Sequence, residues 1–203
     1  MPRVEVPTIR QGGDLFGEGV PSWHDAMLSG YHPSWSVYLR GYRVAADQLV
    51  EFALGERSNR DFVIYPVLFL YRQFMELGLK EAINYALQLS DETHAKSRDH
   101  HRLGKLWHQF ETLMKEVGDG SLDQHVKVVR NAVQQFASLD PTSQLFRYPE
   151  EKDGSPVRYP IERVNLPNLK AEMENAATAL DMITGGLSAM VDVHRDAHNE
   201  MQP

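Results

Sequence analysis

Two groups of side chains in this sequence have the types and the spacing to do chemistry. The first is HAKSRDHHRLGKLWH, residues 94–108, where four of the nine histidines stand among Lys96, Arg98, Arg102 and Lys105, with Asp99 the lone acid. Histidine exchanges protons near neutrality and cations neutralise phosphate, so such a patch suits general acid–base work or phosphate binding. A helix from about residue 100 to 117, with Asp99 as its N-cap, puts His101, Lys105 and His108 on one face. The opposite face is apolar: Leu103, Leu106, Trp107, Phe110, Leu113, Met114 and Val117. An ordinary solvated helix face has the same composition, so the stripe alone does not choose.

The second group lies inside YPVLFLYRQFMELGLKEAI, residues 65–83, the most apolar run of the chain, where Arg72, Glu76 and Lys80 recur every fourth residue. On a helix these three drift across only about 80°, while the remaining faces are apolar. A helix apolar nearly all round is central in its bundle, so the charged strip is expected to lie under another segment. Buried ions must be paired, and Glu76 has a cation one turn to either side. The stretch 140–165 supplies Asp140, Ser143, Arg147, Glu150 and Asp153 as outside partners. Two readings follow: a clasp that pins this stretch to the bundle, or a cleft that admits a phosphate or a base.

Other chemistries find little support. A zinc site from His94, His100, His101 and His108 lacks a carboxylate at a completing distance, HExxH is absent, and His194 with His198 form only an i, i+4 pair, so no metal is expected. P-loop, GxGxxG and GxSxG patterns are missing, and no cofactor is expected. Zero cysteines exclude disulfides, thiolate metal sites and cysteine nucleophiles. A formal charge of −7 opposes non-specific binding to nucleic acid, so no DNA partner is expected and RNA contact must use the local patch. Arg72, Gln73 and Glu76 interrupt the longest apolar run, and the N-terminus carries no secretory h-region, so the expectation is a cytoplasmic protein with no membrane association.

The elements that must position these groups are helices. Tyr38, Tyr42, Ala45, Ala46, Leu49, Phe52 and Ala53 recur at three and four, and Gly55 ends that helix. Pro66 is placed in the first turn of the next helix, which runs to about Leu89. After GDG, Ser121 and Gln124 read as a capping box for a helix ending before Asp140-Pro141. Residues 140–165 have no helical period, repeat Arg-Tyr-Pro at 147–149 and 158–160, and read as a β-hairpin or paired extended arms turning at Asp153-Gly154. Leu169, Met173, Ala176, Leu180, Ile183, Leu187 and Met190 form a seam for a neighbouring helix, in this chain or a partner, and Gly185-Gly186 is a place for a bend. The sum is an all-α, up-and-down bundle of about five helices with the excursion before the last.

The strings FLYRQFMELGLKEAI, HRLGKLW and DPTSQLFRYPEEKDG resemble a group of uncharacterised bacterial proteins with HEPN-like helical bundles, over about residues 38–190. Glycine and proline without a sustained period read as an irregular arm at 1–34, and the residues after the last apolar seam as a flexible tail at 194–203; the resemblance makes 35–193, including the 140–165 excursion, a HEPN-like helical domain. It also implies a homodimer, here expected through the last helix, and an RNA-directed role of the toxin or defence type. Many HEPN proteins are metal-independent ribonucleases with an arginine and a histidine separated by four to six intervening residues. Arg102 and His108 are the matching pair, although Leu103 follows the arginine where those enzymes carry a polar residue. On that reading His108 or His101 is the general base and Arg102 steadies the phosphorane, while Arg72, Glu76, Lys80, Lys105, Arg147 and Tyr148 are the binding residues. The alternative is a non-catalytic helical module that dimerises or docks a partner.

Overall fold

A computed structural model describes residues 20, 22–28, 34–90 and 101–200. Asp99, His94, Lys96, Arg98 and His100 lie outside them, so neither the proposed N-cap nor most of the histidine patch can be placed. The chain divides into two units, Met1–His32 and Pro33–Pro203. In the first, the described residues include one turn in which the Asp25 N–H bonds the Ser22 carbonyl at 3.1 Å.

The second unit is all-α. Its described residues form five α-helices: α1 (Trp35–Gly55), α2 (Arg60–Leu89), α3 (Leu103–Val117), α4 (Asp123–Leu139) and α5 (Leu166–Glu200), with a single 3₁₀ turn at Arg57–Asn59. α1 buries Leu39, Ala46, Val50 and Ala53, which fall on one side at helical spacing. Its last turn leaves carbonyls without intrahelical donors, and the Arg60 guanidinium answers two of them: Nε reaches the Ala53 oxygen at 3.0 Å and Nη2 the Leu54 oxygen at 3.4 Å.

α2 is the hub, packing against α1, α3 and α5. It begins at Arg60, so Pro66 sits inside the helix and not in its first turn. The proline removes one donor to the Phe62 carbonyl, and Phe62 is exposed, where water is at hand. By length and apolar composition alone Arg57–Leu89 would suffice to cross a membrane, yet 56% of its most apolar window is buried inside the bundle, the setting of a core helix. Gly78 lets α5 approach: a Cβ there would stand 2.0 Å from Leu180 Cδ2.

The seam on α5 finds its neighbours within the chain. Met173, Ala176, Leu180, Ile183 and Leu187 are buried in a bundle where α5 packs on α4 and α2. The helix runs unbroken through Gly185-Gly186 and on to Glu200, past the boundary expected at His194. Gly186 faces Leu122, and a Cβ added there would come within 3.2 Å of it. At α4 the capping box does not form: the helix starts at Asp123 without a side-chain cap, and the Ser121 N–H is taken by Asp119 Oδ1 at 2.9 Å.

The excursion between α4 and α5 is a tight turn and not a developed hairpin. One antiparallel bridge joins Glu150 to Pro156, supported by Glu151 N–H to Ser155 O at 2.8 Å and Val157 N–H to Pro149 O at 3.1 Å. Pro149, Pro156 and Pro160 have no N–H to extend a ladder. Gly154 takes a φ of +81° at the turn, as the Asp-Gly pair suggests.

Candidate functional site

Arg72, Glu76 and Lys80 rise one above another on α2, and the structure closes the strip from outside. The end of α4 delivers Asp140, the turn after it delivers Ser143, and the residue pair leading into α3 delivers His101. Arg72 and Glu76 are 0% and 1% exposed, so this is a charge cluster in the core.

The guanidinium uses each of its three nitrogens. Nε lies 3.3 Å from Asp140 Oδ2 and 3.4 Å from the Asp140 carbonyl; Nη1 donates to Ser143 Oγ at 2.6 Å and Glu76 Oε2 at 3.2 Å; Nη2 donates to the His101 carbonyl at 2.7 Å. Asp140 is held in turn by the backbone N–H groups of Gln144 and Leu145, at 2.9 and 3.3 Å on Oδ1. Ser143 reaches Arg72 from a left-handed backbone, φ 64°, a conformation that costs a non-glycine residue roughly 1 kcal/mol or more. Two cations, Arg72 and Lys80, are matched by two carboxylates, Glu76 and Asp140. The balance is what permits burial, because an unmatched ion in low dielectric costs several kcal/mol.

The outer edge of the cluster differs from its floor. Glu76 Oε1 accepts from Lys80 Nζ at 2.8 Å and lies 2.9 Å from His101 Nδ1. The Lys80 side chain is 11% exposed and that of His101 is 76% exposed. Burial by itself would raise the Glu76 pKa; the bonds and charges of Lys80 and His101 outweigh it and hold the carboxyl below its ordinary range. In the neutral form of the ring, a carboxylate acceptor requires the proton on Nδ1, which leaves the other ring nitrogen of His101 as a base. The arrangement is a buried carboxylate that orients an exposed imidazole beside an ammonium, and it suits proton transfer at, or binding of, an anionic oxygen.

The expected His101, Lys105, His108 face on one helix does not form. α3 begins at Leu103, so His101 precedes it, and the bonds to Arg72 and Glu76 turn the residue toward α2. Arg102, Lys105 and His108 are exposed. The Arg102 carbonyl opens α3, accepting from Lys105 N at 3.0 Å and Leu106 N at 3.1 Å, and the His108 carbonyl accepts from Thr112 Oγ1 at 2.9 Å. Arg147 touches the cluster at one remove: Nη1 donates to the Ser143 carbonyl at 3.4 Å, Nη2 to Tyr148 Oη at 2.9 Å, and the guanidinium lies 5.1 Å from the Tyr148 ring centre. Of the outside partners, Asp140 and Ser143 join the strip, whereas Glu150 and Asp153 stay exposed. Residues that could together hold a metal ion are not found among those described.

A second, part-buried polar pair ties α2 to α1. Tyr71, fully buried on α2, donates to Asp47 Oδ1 on α1 at 2.6 Å. Burial first, and then the Asp47 hydrogen bond and charge, push the phenol well above its ordinary range. The signal was present as a tyrosine inside an apolar run, but its partner lies 24 residues away. Comparison with protein-family models, curated proteins and solved structures returns no match to this chain.

Proposed function

We propose that this chain is an RNA-directed, HEPN-like protein whose working edge is His101, oriented by Glu76 and flanked by Lys80 and the exposed cations Arg102 and Lys105. The observation that carries the reading is the 2.9 Å contact between the exposed His101 ring and the buried Glu76 carboxylate. A surface imidazole held by a charged, buried partner is set up for acid–base work, and stability alone gives no reason for its exposure. Arg72 and Asp140 serve that edge from below by fixing Glu76 and the His101 backbone.

If the protein cleaves RNA, the free nitrogen of His101 takes the proton of a ribose 2′-OH and the oxygen attacks the adjacent phosphorus. The bond from phosphorus to the 5′-oxygen then breaks, and that oxygen takes a proton from a second acid, for which His108 is the candidate. Lys80 and Arg102 offset the charge on the phosphorane, with no metal in the sequence of steps. The acidic net charge argues against DNA and for a confined RNA contact, and the place of action is the cytoplasm.

The test is cleavage of end-labelled cellular RNA by the full chain, beside His101→Ala and His108→Ala variants shown by melting to be equally folded. Cleavage that falls at least a hundredfold in His101→Ala supports the reading. Cleavage unaffected by it, or intact RNA throughout together with no salt-dependent RNA affinity, overturns it and leaves the non-catalytic docking module. That second reading has its own observation, an exposed uncharged face on α1.

A further inference from the structure

α1 is covered by α2 on one side and presents the other to solvent. Its exposed residues include Val37 (57%), Tyr38 (54%), Val44 (49%) and Phe52 (51%), together with Gly41, Ala45 and Gln48. At about 100° per residue these seven fall within a sector of roughly 120°, over some 22 Å of helix, with no charge inside it. The charged residues Arg40 and Glu51 both lie along one border of the sector.

From this we infer that α1 is the self-association surface of the protein, and that its occupant is the α1 of a second copy, antiparallel about a two-fold axis between Val44 and Ala45. The argument is self-complementarity. Under such an axis, position i faces position 89 − i. The set Val37, Gly41, Val44, Ala45, Gln48 and Phe52 then maps onto itself, with 37 opposite 52, 41 opposite 48, and 44 opposite 45.

The same axis keeps each border of the sector against the same border of the other copy. Arg40 of one copy therefore stands within one turn of Glu51 of the other, twice, and Tyr38 stands beside Phe52, twice. Arg40 makes no ion pair among the described residues, whereas Glu51 already holds Lys170 and keeps a carboxylate open to a second cation. Gly41 supplies an independent observation. A Cβ placed there would meet nothing within 4 Å among the described residues, and the backbone does not require glycine, so nothing in their packing accounts for a residue that costs a helix about 1 kcal/mol. A neighbouring helix approaching to about 8 Å does account for it.

This surface deepens the self-association reading and stands apart from the His101 edge, so RNA cleavage and dimer formation succeed or fail separately. The chain has no cysteine, which makes the test direct. In the proposed pair the two copies of residue 45 lie about 5 Å apart between Cα atoms, within disulfide range. The full chain carrying Ala45→Cys should cross-link to a dimer on mild oxidation, while Glu174→Cys, exposed on α5, should not. By sedimentation at about 50 µM the unsubstituted chain should be a dimer. Ala45→Arg should be a monomer with the parent's helical circular dichroism and a melting temperature lower only by the lost association, and Arg40→Glu should raise the dissociation constant at least tenfold. A dimer that survives Ala45→Arg, or an Ala45→Cys dimer that fails to cross-link, places the interface elsewhere and overturns the inference. A monomeric Ala45→Cys chain whose introduced thiol is slow to alkylate also overturns it, since the face would then be covered by the chain's own N-terminal unit.

Discussion

Glu76→Ala is the most informative perturbation of the cluster. In the folded protein the carboxylate is 1% exposed and meets Arg72 at 3.2 Å, Lys80 at 2.8 Å and His101 at 2.9 Å. Removing it leaves Arg72 and Lys80 facing Asp140 alone, so a core that held balanced charge holds one unmatched cation. Breaking a buried pair from one side costs about 3–5 kcal/mol, most of it the penalty of the charge left behind. For a domain of this size each kcal/mol lowers the melting temperature by roughly 2–4 °C, so the variant should melt about 6–20 °C below the parent. The assay is thermal and urea unfolding at pH 7, with the urea slope used to verify that the folded state has not expanded. Glu76→Gln keeps the shape and loses the charge, and should fall between the two. A shift below two degrees for Glu76→Ala would refute the reasoning, because it would mean that water reaches the strip.

Folding depresses the Glu76 pKa below its ordinary 4.5, so its carboxylate contribution is complete above that value and is lost as pH falls through the lower folded value. Urea unfolding at pH 3 and pH 6 should therefore differ by less in Glu76→Gln than in the parent. Gly78→Ala drives a methyl into Leu180 and should cost about 1–3 kcal/mol, read as a lower urea midpoint; a neutral result would mean that α5 shifts freely on α2. Tyr71→Phe removes the donor to Asp47 and should cost about 1.5 kcal/mol, since Asp47 keeps water and Arg43; a loss above 3 kcal/mol would mean that Asp47 is more enclosed than its 28% side-chain exposure indicates.

Helical spacing carried most of the fold. Leu103, Leu106, Phe110 and Leu113 are all buried on α3, and Met173, Leu180, Ile183 and Leu187 on α5, because a period of three and four has one structural solution when a core is available. Boundaries were less legible. Pro66 pulled the expected start of α2 inward, since a proline signals a first turn but is tolerated further on where its neighbouring carbonyl is wet. The burial of Arg72 and Glu76, with Lys80 at the part-buried edge, was legible from the apolar surroundings of the strip, whereas Asp140 and Ser143 were two of five candidates in the polar excursion that spacing alone could not separate. The turning of His101 was not legible. Periodicity assigns a residue to a helix face only if the helix reaches it, and the bonds that hold His101 off α3 come from α2.

The guanidinium of Arg72 collects partners that lie 29, 68 and 71 residues away along the chain. Such contacts are expensive in loop entropy and form after the local helices. Until both segments arrive, the one with His101 and the one with Asp140 and Ser143, Arg72 and Glu76 are hydrated ions on a nascent apolar helix, and collapse around them is unfavourable. The cluster thereby disfavours half-built states in which α1, α2 and α5 have packed but the stretch after α4 has not docked. Substitutions at Asp140 or Ser143 should therefore act mainly on the unfolding rate and leave the folding rate nearly unchanged, the behaviour of a latch that closes last.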